Sequence, residues 1–315
     1  MATEMRKKLV IINSVLLIIA LNFNPVYSQT GSGEDTITSD QIVLLGTGTP
    51  NTNPDRMGPS TAVVVDNISY IFDAGPGVVR RAAAAARGGI RGLRARNLTK
   101  VFITHLHSDH TVGLTDLIFT PWAVGRNVPL EVFGPPGILN MTNHLLAAFE
   151  EDIAIRINGR ETGNIAGYKV NAFEVKPGEI YKDENVTITA FQVNHGTWDH
   201  AYGYRIETPE RVIVISGDTA PSEELIRNSE GCDVLIHEVY STEGFNNIRN
   251  PRRKAYHSSF HTSTEELANI ANRIKPKLVI LHHQLLFGST PEKMLAEIAN
   301  IYKGKVVYGN DLEIY

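Results

Sequence analysis

An α+β fold of two mixed sheets packed face to face with helices outside, a four-layer αβ/βα sandwich, is what the order of segments in this chain predicts. Short β-branched runs come first in each half of the sequence and helical stretches follow, without the strict strand–helix alternation of a doubly wound sheet. Several of these apolar runs end in histidine or aspartate beside a loop, which gathers polar chemistry along one rim. With 315 residues, 42% hydrophobic and 20% charged, the chain can bury a core of that size.

The first half supplies runs at Gln41–Leu45, Thr61–Val65, Ser69–Phe72 and Val101–Thr104, each rich in the residues that suit a pleated surface. Between them the alanine-rich stretch Val78–Arg87 is a helix, stopped by Gly88-Gly89. In the second half Tyr168–Val175, Val186–Val193, Tyr202–Glu207, Arg211–Ser216, Val234–His237 and Leu278–Leu281 read as strands. Ser222–Asn228, Thr264–Ile274 and Pro291–Tyr302 read as helices. The folded domain is expected to span 41–315.

Before it, Arg6, Lys7 and Lys8 precede an apolar stretch from Leu9 to Leu21, and Val26-Tyr27-Ser28 ends in small residues. That pattern is expected of a secretory signal peptide over 1–28, cleaved before Gln29, and the polar stretch 29–40 reads as a flexible linker. The apolar run is short of the ~20 residues that cross a bilayer, so no stable membrane anchor is expected after cleavage and the mature chain would be periplasmic or secreted. Removing the segment takes away a net +2, from three basic residues against Glu4, and moves the formal charge from −4 to −6. An acidic chain of this kind argues against a nucleic-acid partner held by global charge. Cys232 is the single cysteine, so there is no internal disulfide framework. A homodimer stays open.

Residues 104–110 read THLHSDH, directly after Val101-Phe102-Ile103. Imidazole and carboxylate are the ligands that suit zinc when thiolate is absent, and a closed site takes about four per ion. His105 and His107 alternate on an extended backbone and share a face, while Asp109 and His110 follow the turn and can serve a second ion. Further candidates stand at the ends of later strands: His195 after Val193, Asp218 after Ile213–Ser216, and His282 and His283 after Leu278–Leu281.

The set HxHxDH, His195, Asp218 and a late histidine resembles the metallo-β-lactamase superfamily, over nearly all of the chain from Gln41 onward. LLGTGTP (Leu44–Pro50), FDAGPG (Phe72–Gly77), SGDT (Ser216–Thr219), LIHEVY (Leu235–Tyr240) and HTSTEELA (His261–Ala268) resemble its ribonuclease Z and arylsulfatase-like branch. That resemblance implies two Zn²⁺ ions, with another divalent metal open: one held by His105, His107 and His195, the other by Asp109, His110 and His283, with Asp218 between them. It favours His283 over His282. It also implies Asp109, His261 and Glu238 as catalytic residues, His261 assisting the leaving oxygen and paired with Glu238. Asp73 would orient a ligand histidine. Trp198 and His200, in the loop after His195, are candidate substrate-binding residues, and the loop around Arg56, Ser60 and Thr61 is placed by the same likeness near a bound anion.

Within that branch the expected enzyme is an exported zinc-dependent hydrolase of small-molecule esters, aryl sulfates or phosphodiesters. A ribonuclease Z-type nuclease acting on tRNA 3′ ends is the alternative. The signal segment, the acidic mature chain and the lack of a long Gly/Pro-rich basic arm between Gly134 and His195 argue against it. A non-catalytic secreted binding protein on the same fold is a third reading, disfavoured because no ligand position is lost.

Overall fold

The computed structural model describes residues 40–161 and 163–315. The stretch expected to be a signal peptide, 1–28, and all of the expected linker except Asp40 lie outside the described residues. Strand β1 (Asp40–Gly46) begins at Asp40, whose carboxylate meets the Arg211 guanidinium at 2.6 Å.

The first sheet is built from β1, β2 (Ser60–Val65), β3 (Ile68–Phe72), β4 (Lys100–Phe102), β5 (Leu130–Gly134) and β6 (Val170–Glu174), adjacent in that order. The first three are antiparallel and the rest run parallel to β3. Helix α1 (Val78–Arg87) links β3 to β4, and α2 (Ser108–Thr111) and α3 (Leu114–Ala123) link β4 to β5. Two more, α4 (Ile138–Ala148) and α5 (Glu150–Asn158), lead to β6. The parallel strands are joined through helices because a parallel pair cannot be closed by a tight turn.

The second sheet begins with β7 (Gly178–Lys182), β8 (Thr187–Gln192), β9 (Tyr202–Glu207) and β10 (Val212–Ile215), an antiparallel meander. After α6 (Glu223–Asn228) the chain adds β11 (Val234–Tyr240) parallel to β10. Helices α7 (Thr242–Asn246), α8 (Pro251–Phe260) and α9 (Thr264–Ile274) precede the parallel strand β12 (Leu278–Leu285). Helix α10 (Pro291–Ile301) and edge strand β13 (Val306–Tyr308) complete it.

Three apolar layers explain why the strands read as continuous apolar runs rather than alternating ones. The inner layer, where the sheets face each other, contains Ile42, Leu44, Phe72, Phe102, Tyr204, Ile213 and Ile280, all buried. Phe102 stacks on Phe72 at 5.2 Å and on Phe133 at 4.9 Å, and each fully buried ring contributes about 1.5–3 kcal/mol. The outer layers set α1 and α3 on the first sheet, through Val79, Ala82 and Leu117, and α6, α9 and α10 on the second, through Leu225, Leu267 and Met294. The result is the two-sheet, four-layer arrangement expected from the sequence.

Two departures from the sequence reading bear on the site. Strand β12 runs on past Leu281 to Leu285, so both candidate histidines lie inside a strand. Helix α8, not anticipated, is capped by Asn250, whose side chain accepts from the Arg252 and Arg253 amides, with Pro251 at its first position. Its composition, PRRKAYHSSF, has almost no apolar periodicity, and His257 is its one buried residue.

Candidate metal centre

The loops that leave β4, β8 and β10, together with the second half of β12 itself, bring their polar residues to one place. His105 Nε2 lies 2.9 Å from His107 Nδ1, and His195 Nε2 lies 3.1 Å from that same nitrogen. Beside this trio His283 Nε2 stands 3.2 Å from an Asp109 oxygen and 3.5 Å from an Asp218 oxygen, and His110 Nε2 is 3.5 Å from both carboxylates. Four overlapping groups, His105/His107/His195, His105/His110/Asp218, Asp109/His110/His283 and Asp218/His261/His283, each place their ligand atoms within 4.8 Å of one another.

The separation of the two adjacent histidines is a matter of backbone geometry. Glu238 on β11 pairs with His282, but Val239 pairs with Gln284, so His283 is the extra residue of a β-bulge. Its φ is 45°, a left-handed conformation that a non-glycine residue adopts only where surrounding contacts impose it. The bulge aims His283 into the cluster. His282 instead donates from Nε2 to the Gly46 carbonyl at 2.8 Å, and burial pushes its pKa down to about 3.

The far side of each ring is held as well. His110 Nδ1 meets Asp73 Oδ2 at 2.7 Å, and the same carboxylate accepts the Thr104 amide at 2.8 Å and the Thr104 hydroxyl. That hydroxyl lies 3.0 Å from His105 Nδ1, so Asp73 orients one ring directly and a second through Thr104. His195 Nδ1 donates to the Phe260 carbonyl at 2.9 Å. Gly196 follows with a φ of 56°, and a β-carbon there would stand 2.1 Å from the Phe260 ring, so the tight turn after His195 requires glycine.

Burial drives His105 well below its ordinary pKa and takes His195 down to about 4, leaving both rings neutral lone-pair donors. Burial opposes charge on Asp218 too, but His283, His110 and His261 around it hold its carboxyl well below the usual range. His110 shows the converse: burial disfavours its charged form, yet Asp218 and Asp73 hold it well above the ordinary value.

This donor set fits divalent metal. Tetrahedral ligation at about 2.0–2.1 Å sets ligand nitrogens roughly 3.3 Å apart, near the spacing of the His105, His107 and His195 nitrogens. His110 Nε2 is buried with no hydrogen-bond partner, between two carboxylates held ionised, which is the position of a ligand rather than of a structural histidine.

His261 Nδ1 lies 3.3 Å from Glu238 Oε2 and 3.9 Å from Asp218 Oδ2, close enough for attraction although the first pair is not aligned as a hydrogen bond. Burial opposes its charging, but Glu238 raises its pKa overall. The other Glu238 oxygen accepts the Thr262 amide at 2.8 Å and the Thr219 amide at 3.4 Å, tying the loop after β10 to the loop after α8. Ser263 then starts α9 in a reciprocal capping box with Glu266.

Trp198 reaches the cluster, its indole nitrogen 3.0 Å from His107 Nε2. His200 does not: it is exposed and lies outside the residues lining the cavity above the cluster. Arg56 is occupied by Thr47, Gln284 and Asn310, and Ser60 and Thr61 are buried in β2. The cavity, about 310 Å³, is walled on its far side by Arg253, Tyr256 and His257 of α8 and by Phe287. The sequence reading missed these residues; their one signal is the helical i, i+3, i+4 spacing of Arg253, Tyr256 and His257 just before His261. Thr104 was also missed, visible only once Asp73 is seen to bind it.

A family profile described as β-lactamase superfamily domain matches residues 69–284. Ribonuclease Z of Mycobacterium bovis (strain BCG / Pasteur 1173P2) is 34% identical over 277 residues, 86% of this chain and 96% of the relative. The chain belongs to the ribonuclease Z family of the β-lactamase superfamily. Ribonuclease Z of Mycobacterium marinum (strain ATCC BAA-535 / M) is 32% identical over the same length. Among solved structures, the metallo-β-lactamase fold protein YhfI from Bacillus subtilis superposes with a TM-score of 0.66 at 17% identity, covering 88% of this chain and 98% of that one. Human tRNase Z, short form, superposes at 0.64 and 20% identity, covering 87% and 98%. These two share the fold.

The family assignment overturns two expectations. A small aryl sulfate or phosphodiester as substrate, and the expectation that nucleic acid is not the partner, are replaced by kinship to enzymes named for cleaving RNA. The reasons for the error are physical. Net charge sums over the whole surface and says little about one cavity, and an N-terminal basic and apolar pattern carries no information about the bond a metal centre attacks. What stands is a metallo-β-lactamase-fold hydrolase whose His and Asp groups can hold metal.

Proposed function

We infer that the chain is a zinc-dependent ribonuclease of the ribonuclease Z type, hydrolysing a phosphodiester in RNA, with the 3′ end of a precursor tRNA as its substrate. The observation that carries this is the 34% identity to a ribonuclease Z along 96% of that enzyme, in a chain whose candidate ligands converge on one site. His105, His107 and His195 would hold one ion and Asp109, His110 and His283 the other, with Asp218 between the two. Such ions lower the pKa of water and offset charge on the diester oxygens.

The chain's own groups do the remaining work. Asp73 and Thr104 fix the tautomers of His110 and His105, so that each ring presents a lone pair to the centre. His261, held protonated by Glu238, gives its proton to the oxygen that leaves as the P–O bond breaks. Glu238 keeps that imidazole in place through its bonds to both loops. The test is direct: zinc-loaded full-length protein, incubated with a precursor tRNA carrying a 3′ trailer, should release the trailer by a single endonucleolytic cut and stop when a chelator is added. Fully metallated protein that leaves the precursor intact refutes the reading.

A further inference from the structure

Helix α8 forms the wall of the metal cavity opposite the ligand strands, and its first half is basic: Arg249 just precedes it, and Arg252, Arg253 and Lys254 lie in its first turn. Three cavities meet at Arg253. One, of about 310 Å³, contains Asp109, Asp218, His261 and His283; a second, of about 300 Å³, runs past Thr49 and Tyr308; a third, of about 440 Å³, runs past Asn247 and Arg249. They form one trough leading away from the metal centre, with a guanidinium at its junction.

That guanidinium is unneutralised. Arg80, Arg81, Arg156, Arg205, Arg211, Arg227 and Arg273 each meet an aspartate or glutamate. Among the described residues no carboxylate pairs with Arg253, and none with Arg249 or Arg252. Arg253 lies over the Phe287 ring, 5.5 Å from its centroid, with Nε 3.4 Å from His257 Nε2, which orients the side chain without cancelling its charge. One turn on, at the i+3 position that shares its face, Tyr256 lines the same cavity and is 43% exposed. Its ring is held by stacking on Phe260 at 4.4 Å, and Phe260 packs in turn against His195. A fixed aromatic face beside an unpaired guanidinium is what a single-stranded nucleic acid needs, a stacking platform and a phosphate contact in succession.

We propose that α8 is the strand-binding wall of this enzyme: Arg253 takes the RNA backbone phosphate next to the scissile one, and Tyr256 stacks the unpaired base that belongs to it. The proposal rests on the ribonuclease reading and assigns RNA gripping to a helix beside the centre. Both residues position the strand and neither takes part in bond cleavage.

The experiment uses zinc-loaded full-length protein and labelled precursor tRNA, with KM and kcat measured separately across a salt series. Arg253→Ala should raise KM on the order of tenfold with kcat close to wild type, and should lower the slope of log affinity against log salt by about 1, as loss of one phosphate contact requires. Arg227→Ala, an exposed arginine already neutralised by Glu224, is the equal-charge control and should leave KM and slope as they were. Tyr256→Ala should raise KM roughly tenfold and Tyr256→Phe should restore it, because stacking needs the ring and not the hydroxyl. On a precursor with an abasic residue beside the scissile phosphate, wild type and Tyr256→Ala should become equal. An unchanged KM for Arg253→Ala, a shift no larger than that of Arg227→Ala, or a fall in kcat with zinc lost overturns the proposal while leaving the ribonuclease reading intact. If wild type itself spares the precursor, the ribonuclease reading fails first.

Discussion

Replacing Asp73 by asparagine tests the orientation of the candidate metal ligands at its most sensitive point. Asp73 accepts from His110 Nδ1 at 2.7 Å and from the Thr104 amide at 2.8 Å, and it has a φ of 61°. Asparagine tolerates that left-handed backbone and retains a carbonyl for the Thr104 amide. Its amide group, however, would face a ring nitrogen that carries a proton. The pair is satisfied only if His110 moves its proton to Nε2, the nitrogen that faces Asp109 and Asp218, and a protonated nitrogen cannot bind metal. Asp73→Asn should therefore weaken zinc at the Asp109/His110/His283 site by about 10- to 100-fold, the usual effect of losing such a partner, while the His105/His107/His195 site suffers less. Asp73→Ala should weaken both sites, because Thr104 loses its anchor. Two bonds to a charged acceptor at about 1.5–3 kcal/mol each also predict a loss of roughly 3–6 kcal/mol in folding stability for the metal-free alanine variant, and less for asparagine. Zinc competition against a chromophoric chelator and urea unfolding read the two quantities. Two equivalents bound by Asp73→Asn at wild-type affinity would refute the role given to Asp73.

The other predictions concern neighbouring features. His283→Ala should lose zinc and all turnover together, whereas His261→Ala should keep both metals and lose the ~10²- to 10⁴-fold typical of general acid catalysis, least for a leaving group that needs no proton; metal loss on His261→Ala would make it a scaffold residue. Asp183 accepts from the Tyr70 and Tyr181 hydroxyls at 2.7 and 2.8 Å and from the Asn185 and Val186 amides, and although burial opposes its charge these bonds hold its pKa below the ordinary carboxylate value. A depressed folded-state pKa contributes stability above the unfolded value of about 3.9 and loses it as pH falls through the folded one, so Asp183→Asn should destabilise the protein near neutrality and differ less from wild type in acid, as seen in urea midpoints across pH. Finally, the basic and apolar pattern of Met1–Ser28 predicts a mature N-terminus near Gln29, and N-terminal sequencing that finds Met1 on the native protein would rule that out.

How much of the site could be read in advance depended on whether a feature is local. Three histidines and an aspartate within THLHSDH are a local signal, and so is an apolar run ending in histidine or aspartate; the fold brings the residues expected on that basis to one rim. The distinction between His282 and His283 is different in kind. It turns on a bulge in the pairing of β11 with β12, a register property of two strands that no single stretch encodes. The Asp73–Thr104–His105 chain is likewise a contact between the ends of β3 and β4, so a threonine standing just before a candidate ligand reads as one more β-branched residue. The region from Thr111 to Gly167 went unassigned because its helices are weakly patterned: α3 contains Pro121, and Leu139 and Ile155 in α4 and α5 are exposed rather than on a buried stripe.

The substrate was misjudged through a question of scale. A formal charge of −4 describes the field far from the molecule, and at physiological salt that field is screened within about 8 Å. A phosphate entering the trough responds to what lies inside that radius: carboxylates that a bound metal would offset, and Arg253 at the junction, with no carboxylate against it among the described residues. Basic residues gathered in Arg249–Lys254 are diluted in a whole-chain sum by paired surface charges such as Arg273 with Glu223 and Lys293 with Glu243, which contribute almost nothing to binding. An acidic protein can therefore hold an anionic strand if its unpaired positive charge lies where the strand must pass, which is the role proposed for α8, invisible as a helix until the fold places it beside His261.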